Sequence, residues 1–452
     1  MQGNFTSDLS SVTPDAVILE KVELVNHTGQ VKDISDLVTE VIIQESIYMP
    51  ALLFEMTVLD SVNFFEDFQL IGQEKIIIEF QKKPLGDDEF QIFDFTFMLT
   101  EYPAFVKSMN STVQTYIIRG TTPFAYMSKF KKISRQYREA TSLEIIRIIN
   151  TDLEHDGGYL SLGEESSEHR GIFNVQEPLK AAEFLRKNTY DENGAPFFLY
   201  QTFDKKVRFV SYSHLISDKN EVYETYRNMK GFNSDVGEKN DYIQRAKRIL
   251  KLNSNLNLSK MFQATDGAFA SRNFSLDYSN KTFNQNIYNY YSDTAQTREN
   301  TLGKKPSLST QSGLGSQNDT LNLLPDSHVE YLSVNSDSYS GLKNYTGNLS
   351  KNIHRLNSYN TLFSTISHTI ELAGDFYLNA GRKITLELPK SIDQEIYNKW
   401  KGGDVNNLTH TDEHLSGDYI IVSVIHTFTV GTAACSHNCS IEVNKDSLTI
   451  DI

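Results

Sequence analysis

Cysteine is nearly absent: two residues in 452 cannot build a disulfide framework, and so few suit a reducing cytoplasm. Tryptophan occurs once. Apolar runs are short, of the kind Ala51-Leu52-Leu53-Phe54 and Ile76-Ile77-Ile78, far below the ~20 residues a membrane-spanning helix needs. No membrane insertion by this chain is expected. Positive charge is in deficit, with 43 Lys and Arg against 58 Asp and Glu and a formal charge of −15. That balance argues against a protein that wraps nucleic acid through its phosphates. The opening MQGNFTSDLSS has neither a basic nor an apolar stretch, so synthesis in the cytoplasm without a secretory signal is expected. Also missing are a phosphate-binding G-x-x-x-x-G-K-[ST] loop, H-E-x-x-H, a G-x-S-x-G elbow and a calcium loop. No cofactor and no catalytic residue is expected.

What the chain has is length, at ~150 residues per domain enough for about three, with 27 Phe, 23 Tyr and β-type patterning at both ends. VILEKVELV, VTEVIIQESIY, LLFEMTVLDSV, EKIIIEFQ, FDFTFMLTEY and STVQTYIIRG follow one another between residues 17 and 120, the short spacing of an antiparallel barrel. Helical signals come next. Thr141 and Glu144 have the spacing of a capping box, with Leu143, Ile146, Ile149 and Leu153 behind them on one expected buried face. Pro178 sits well at the first position of a second helix, which Asp191-Glu192-Asn193-Gly194 closes as a solvated turn. Ser and Asn then supply 34 of the 110 residues from 251 to 360, and 297–320 has almost no apolar content, a mobile-loop composition.

The chain repeats itself. GQEKIIIEFQ (72–81) resembles AGRKITLELPK (380–390); with Lys75 on Lys383, Ile76 meets Ile384, Ile78 meets Leu386, Glu79 meets Glu387 and Phe80 meets Leu388. Each copy follows a glycine, Gly72 or Gly381, and precedes two more strands. The expected fold is β-rich α+β: two similar antiparallel β-barrel domains, a helical module between them and a large loop-rich insertion in the second half. The expected boundaries are an N-terminal arm (1–14), a first β-barrel (15–120), a helical module (121–190), a discontinuous second β-barrel (191–255 with 372–452) and a Ser/Asn-rich insertion domain (256–371).

Candidate chemistry is sparse. Cys435, His437 and Cys439, with His426 upstream, are soft ligands of the kind zinc takes. C-x-H-x-C is not a standard zinc spacing, however, and the segment reads as a hairpin turn carrying two free thiols. Asp191 and Glu192, adjacent in a turn, do not converge as a hydrolytic carboxylate pair does. His155-Asp156 reads as a polar loop after a helix. Between Tyr102 and Arg138 there are seven basic residues and no acidic one, namely Lys107, Arg119, Lys129, Lys131, Lys132, Arg135 and Arg138. This patch is either a solvated face or a surface for an acidic neighbour or passing nucleic acid. Acidic residues follow at Asp152, Glu154, Asp156, Glu164, Glu165 and Glu168, an arrangement suited to contacts between copies of one subunit.

ISDLVTEVIIQESIYMPALLFEMTVLDSVNFFEDFQLIGQEKIIIEF (34–80) resembles the start of the baseplate central hub proteins of contractile-tailed bacteriophages. EPLKAAEFLRKNTYDENGAPFFLYQTFDKKVRFVS and GDYIIVSVIHTFTVGTAACSHNCSIEVNKDS resemble the centre and end of the same family, which is related to the N-terminal module of type VI secretion spike proteins. The resemblance implies a homotrimer whose two similar barrels per subunit form a pseudo-sixfold ring. Such a ring adapts the sixfold tail tube to the threefold central spike, within a baseplate that also holds wedge proteins, and leaves room for DNA to pass. It implies location in the virion tail, with the spike a separate polypeptide because the chain ends after the second barrel. Candidate tube-facing edges are Gly72, Lys75 and Glu79, and Gly381, Lys383 and Glu387; candidate contact residues are Lys129, Lys131, Lys132, Arg135 and Arg138. The competing readings are a peptidoglycan- or polysaccharide-degrading tail enzyme and a component of a type VI-like injection spike.

Overall fold

Alternation of apolar and polar residues builds most of this chain into strands, and one sheet takes up the majority of them. The computed structural model describes residues 14–448 except 62–63, 65–67, 69, 83–89, 102, 108–112, 139, 166–170, 228–244, 279, 294–301, 305–307, 309–319, 335–344, 390–411, 413 and 432–434. The arm expected at 1–14, apart from its last residue, and most of the loop expected at 297–320 lie outside the described residues. So does the turn expected at Pro84–Asp88.

The N-terminal part runs β1 (Ala16–Val25), β2 (Val31–Asp33), β3 (Val38–Ser46), β4 (Leu53–Asp60), β5 (Lys75–Lys82), β6 (Gln91–Leu99), β7 (Ala104–Lys107) and β8 (Gln114–Thr121). In β5, Ile76, Ile78 and Phe80 are buried while Lys75, Ile77 and Glu79 are partly exposed, the period of two that a strand imposes.

A helical module follows: α1 (Pro123–Phe130), β9 (Gln136–Tyr137), α2 (Thr141–Arg147) continued by a π turn (Ile148–Asp152), β10 (Tyr159–Leu162), β11 (Gly171–Ile172) and α3 (Pro178–Lys187). Behind it lie β12 (Phe197–Gln201), β13 (Val207–Ser211) and α4 (Tyr212–Ile216). Pro178 opens α3 as expected. The capping box is not formed. Thr141 is the first helical residue, its buried hydroxyl has no hydrogen-bond partner among the described residues, and Glu144 turns to Arg135 instead. Of the expected buried face, Ile149 and Leu153 are buried, while Leu143 is exposed and Ile146 only partly covered, with Ile145 and Ile148 buried in their place.

The second half contains β14 (Val222–Arg227), β15 (Lys251–Leu256), α5 (Lys260–Thr265), β16 (Ala270–Asp277), β17 (Thr282–Asn289), α6 (Tyr290–Asp293), β18 (Val329–Val334) and α7 (Tyr345–Phe363). It ends with β19 (Ile366–Ala373), β20 (Lys383–Glu387), β21 (Gly417–Val430) and β22 (Cys435–Lys445). The Ser/Asn-rich stretch is more ordered than its composition suggests. It forms the three-stranded sheet β17-β16-β18 and the 19-residue helix α7, which buries His354, Ser358, Tyr359, Leu362 and Phe363.

The large sheet has the order β14-β20-β21-β3-β4-β8-β6-β5-β1-β22-β19-β15, with β2 beside β1 and β7 beside β8. Because β21 also pairs with β22, the path β21-β3-β4-β8-β6-β5-β1-β22 returns on itself and the sheet is ring-like. Two sets of strands share one order. β1, β3, β4, β5, β6 and β8 lie as β3-β4-β8-β6-β5-β1, and β14, β15, β19, β20, β21 and β22 lie as β15-β19-β22-β21-β20-β14. Numbered along the chain, both sets read second, third, sixth, fifth, fourth, first. One direction differs: β1 is antiparallel to β5, whereas β14 is parallel to β20.

The β21–β22 hairpin serves two cores. Near its tip, Phe428 and Cys435 pack with Val22, Val41, Ile76, Ile78 and Phe97 inside the ring. Nearer its base, Ile421, Val424, Cys439, Ile441 and Val443 pack with Ile370, Ile384 and Leu386. Burial of this kind stabilises by ~25 cal/mol per Å² of apolar surface, so a single hairpin supports both halves of the sheet.

Candidate functional site

Cys435, His437 and Cys439 lie within β22 and not in a turn. A period of two puts all three on the inward face, and all three are buried. His426 on β21 stands directly across from Cys439 in the strand register. His426 Nδ1 is 3.0 Å from His437 Nε2, and Cys439 Sγ is 3.3 Å from the former and 3.5 Å from the latter. Cys435 stays out of this triangle; its Sγ donates to the Ser436 carbonyl, at 4.0 Å. Both thiols are free.

The surroundings are aromatic. The His426 ring is 4.1 Å from that of Phe203, and the His437 ring is 4.3 Å from Phe428 and 4.8 Å from Phe376. Gly374 is required here, since a Cβ on it would fall 2.1 Å from the His437 ring. Lys82 Nζ donates to the Gly374 carbonyl at 2.5 Å and the Pro14 carbonyl at 3.1 Å, and lies 3.4 Å from His437 Nδ1. Glu45, fully buried nearby, accepts from the backbone N–H groups of Phe203 and Ala380. Burial sets the charge states. It holds the His426 imidazole down to about 3, helped by the Lys82 cation, and His437 well below the usual histidine range. It pushes the Cys439 thiol up to about 12 and the Glu45 carboxyl up to about 8.

The repeated strands place their candidates unequally. β5 lies between β1 and β6, and β20 between β14 and β21, so neither is a sheet edge. Gly72 and Gly381 both adopt positive φ, +84° and +81°, as the turns before their strands require. Gly381 is enclosed, donating to the Ile421 carbonyl at 2.8 Å, and a Cβ would fall 2.1 Å from the Tyr200 hydroxyl. Lys75 is partly exposed, but Lys383 is buried and donates to the carbonyls of Ile216 and Ser217 at 3.2 and 2.7 Å. Glu79 stands 3.9 Å from Lys21 and Glu387 2.7 Å from Arg227. Gly381 and Lys383 are therefore committed to contacts within the chain.

The basic stretch is largely paired inside its own module. Lys129 and Lys132 meet Glu177 at 3.5 and 3.2 Å, and Lys180 joins them at 3.1 Å. Lys131 meets Glu154 at 2.8 Å; Arg135 lies 2.6 Å from both Glu144 and Asp152. Arg138 is exposed and makes no ion pair among the described residues. From the acidic run Asp152 and Glu154 take part, on Arg135 and Lys131, and the other partners, Glu144 and Glu177, lie outside it. Beside this cluster, Leu53, Ala125, Phe130, Leu179 and Phe184 line a groove of about 850 Å³ between α1, α3 and the ring.

Other polar candidates have structural work. Asp191 is buried, contrary to the solvated-turn expectation, and accepts from the backbone N–H groups of Asn193 and Ala195, each at 2.9 Å. His155 Nε2 lies 3.0 Å from the Lys205 carbonyl. No described helix is long and apolar enough to cross a membrane.

No protein-family profile matches the chain, and no curated protein matches it in sequence. Solved structures do match. A tail protein from Neisseria meningitidis aligns over 94% of this chain and 96% of its own, with 10% identity and a TM-score of 0.50. The 43 kDa tail protein of prophage MuSo2 from Shewanella oneidensis aligns over 95% and 99%, with 11% identity and a TM-score of 0.49. A type VI secretion component from E. coli aligns over 91% and 74%, with 7% identity and a TM-score of 0.42. At these identities the likeness to the Neisseria protein is one of fold, and it extends through nearly the whole of both chains.

Proposed function

We propose that this chain is the structural hub of a phage tail baseplate, acting through surfaces and not through a catalytic centre. The observation that carries the reading is the repeated strand order, β3-β4-β8-β6-β5-β1 and β15-β19-β22-β21-β20-β14. Two units of one topology in one chain are what a trimer needs in order to present six similar surfaces, because a threefold assembly matches a sixfold partner only through internal duplication. On this reading the two sets are two similar β-barrels. Three chains form a ring that meets the sixfold tail tube on one face and a threefold central spike on the other, with wedge proteins around it and DNA passing through the middle. The fold shared with a tail protein over nearly its full length supports the same reading.

Sedimentation of the purified protein, alone and with its spike, tests the assembly. A trimer is expected in at least one condition, and a persistent monomer in both overturns the proposal. An end-on electron-microscopic view of that trimer should show six similar lobes; three lobes of one kind would remove the symmetry-adapter role. Assays on murein and host polysaccharide should show no turnover, and hydrolysis would replace the structural reading with an enzymatic one.

A further inference from the structure

We propose that His426, His437 and Cys439 bind one borderline-soft transition-metal ion, zinc first and copper as the competitor, at the junction of the two cores. The argument begins with the size of the donor triangle, whose edges are 3.0, 3.3 and 3.5 Å. Tetrahedral zinc holds imidazole nitrogens at about 2.0–2.1 Å and thiolate sulfur at about 2.3 Å, which places neighbouring ligand atoms roughly 3.3–3.6 Å apart. The side chains already stand close to that spacing, so binding needs only small adjustments of χ angles.

The second element is backbone placement. His426 and Cys439 are cross-strand partners in the β21–β22 register, and His437 is two residues from Cys439 on the same face. A single hairpin therefore supplies every ligand, and the site forms as soon as the hairpin does. The third element is the shell around it. Phe203, Phe376 and Phe428 surround the two rings, and the close approach of Gly374 fixes the position of His437; such outer contacts orient metal ligands. Lys82 lies against Nδ1, the ring nitrogen of His437 that the triangle does not use, so binding at Nε2 places the ring proton on Nδ1 and leaves the Lys82 ammonium to its two carbonyl acceptors. Asp375 lies near enough to act electrostatically on Cys439 and to offset positive charge.

No fourth Cys, His, Asp or Glu joins the trio among the described residues. Three protein ligands leave one position to water or to none. The trigonal His₂Cys set also suits copper, which outranks zinc in intrinsic affinity. All three ligands are fully or almost fully buried, so the ion serves as a clip on the hairpin where it passes from one core to the other.

The test is metal content after refolding the full chain from metal-free denaturant with zinc, copper or cobalt(II). About one equivalent of zinc or copper per chain is expected, the competition between them ranking their intrinsic affinities. The cobalt protein should show a thiolate-to-metal charge-transfer band. Cys435→Ser should keep both signals, because Cys435 lies outside the triangle, and Cys439→Ser and His426→Gln should each reduce the stoichiometry to near zero. If those two variants fail to fold, the cobalt band in the wild type and in Cys435→Ser decides the matter. Folded wild-type protein that takes up no metal, a cobalt spectrum without the thiolate band, or equal loss on Cys435→Ser overturns the proposal.

Discussion

β3 and β15 occupy the same place in their respective strand orders, yet they live in different surroundings. β3 buries Val38, Val41, Ile43, Glu45 and Ser46, whereas β15 buries no residue and only Leu252 in it is even half-buried. The difference lies in what stands on the far edge. β3 is covered there by β21 through seven register pairs, while β15 ends its sheet, and among the described residues β14 is bridged to the segment just before β15, at Arg227–Arg248. Two sets of strands in one order thus become unequal because a hairpin belonging to the second also completes the first. The repeated strands show the same contrast: Lys75 leads an accessible strand, and Lys383 leads one whose first side chain points into the protein.

The strongest way to break this comparison is through two buried core positions, Phe80 of β5 and Leu386 of β20. Phe80→Ala should cost about 3–5 kcal/mol and Leu386→Ala about 2–5 kcal/mol in urea unfolding; a negligible cost at either site would mean that one set is not held by its core. Next comes Glu45, whose carboxyl burial pushes up to about 8 from an ordinary 4.5. Folded protein then binds a proton that unfolded chain has released. Stability is fully present below about 4.5 and falls as pH rises toward 8, by a few kcal/mol. Glu45→Gln should flatten that slope, and an unchanged slope in thermal melts from pH 5 to 8 would remove Glu45 as its source. Lys383→Ala strands the Ile216 and Ser217 carbonyls and should cost about 1–3 kcal/mol, against ~0.5 kcal/mol or less for Lys75→Ala; equal costs would erase the distinction drawn above. The smallest effect is expected for Glu79→Gln and Glu387→Gln, whose ion pairs are solvent-screened. Neither should move the urea midpoint by more than a marginal amount.

Much of the fold was legible because period-two alternation is a local signal. The strands around Ile76, Ile78 and Phe80, and those around Ile384 and Leu386, fall where their patterns place them. Pairing across the chain was not legible: nothing local in residues 423–429 says that they lie beside 40–46. Helix α7 escaped notice because Asn and Ser favour turns and caps over helix interiors, and tertiary contacts at Tyr359 and Phe363 override that preference. At the cluster, residue types were read correctly but not their conformation. The alternation in CSHNCSIEV continues the strand through Cys435, and counting that period would have set His437 and Cys439 inward, facing His426. Asp191 was misplaced because an Asx turn looks the same in sequence whether it is buried or solvated.

The shared hairpin also governs the order in which this molecule can be made. Residues 16–121 leave the ribosome long before 417–445, so β3, and the start of β1 that β2 does not reach, emerge with edges that the last strands cover. Unpaired edges recruit other strands, and pairings so distant in sequence form slowly. Most of the chain is synthesised while that gap stands open. Holding it safe until the C-terminal hairpin arrives is the principal hazard of biogenesis for this protein, and truncation before residue 417 should convert a folded product into an aggregating one.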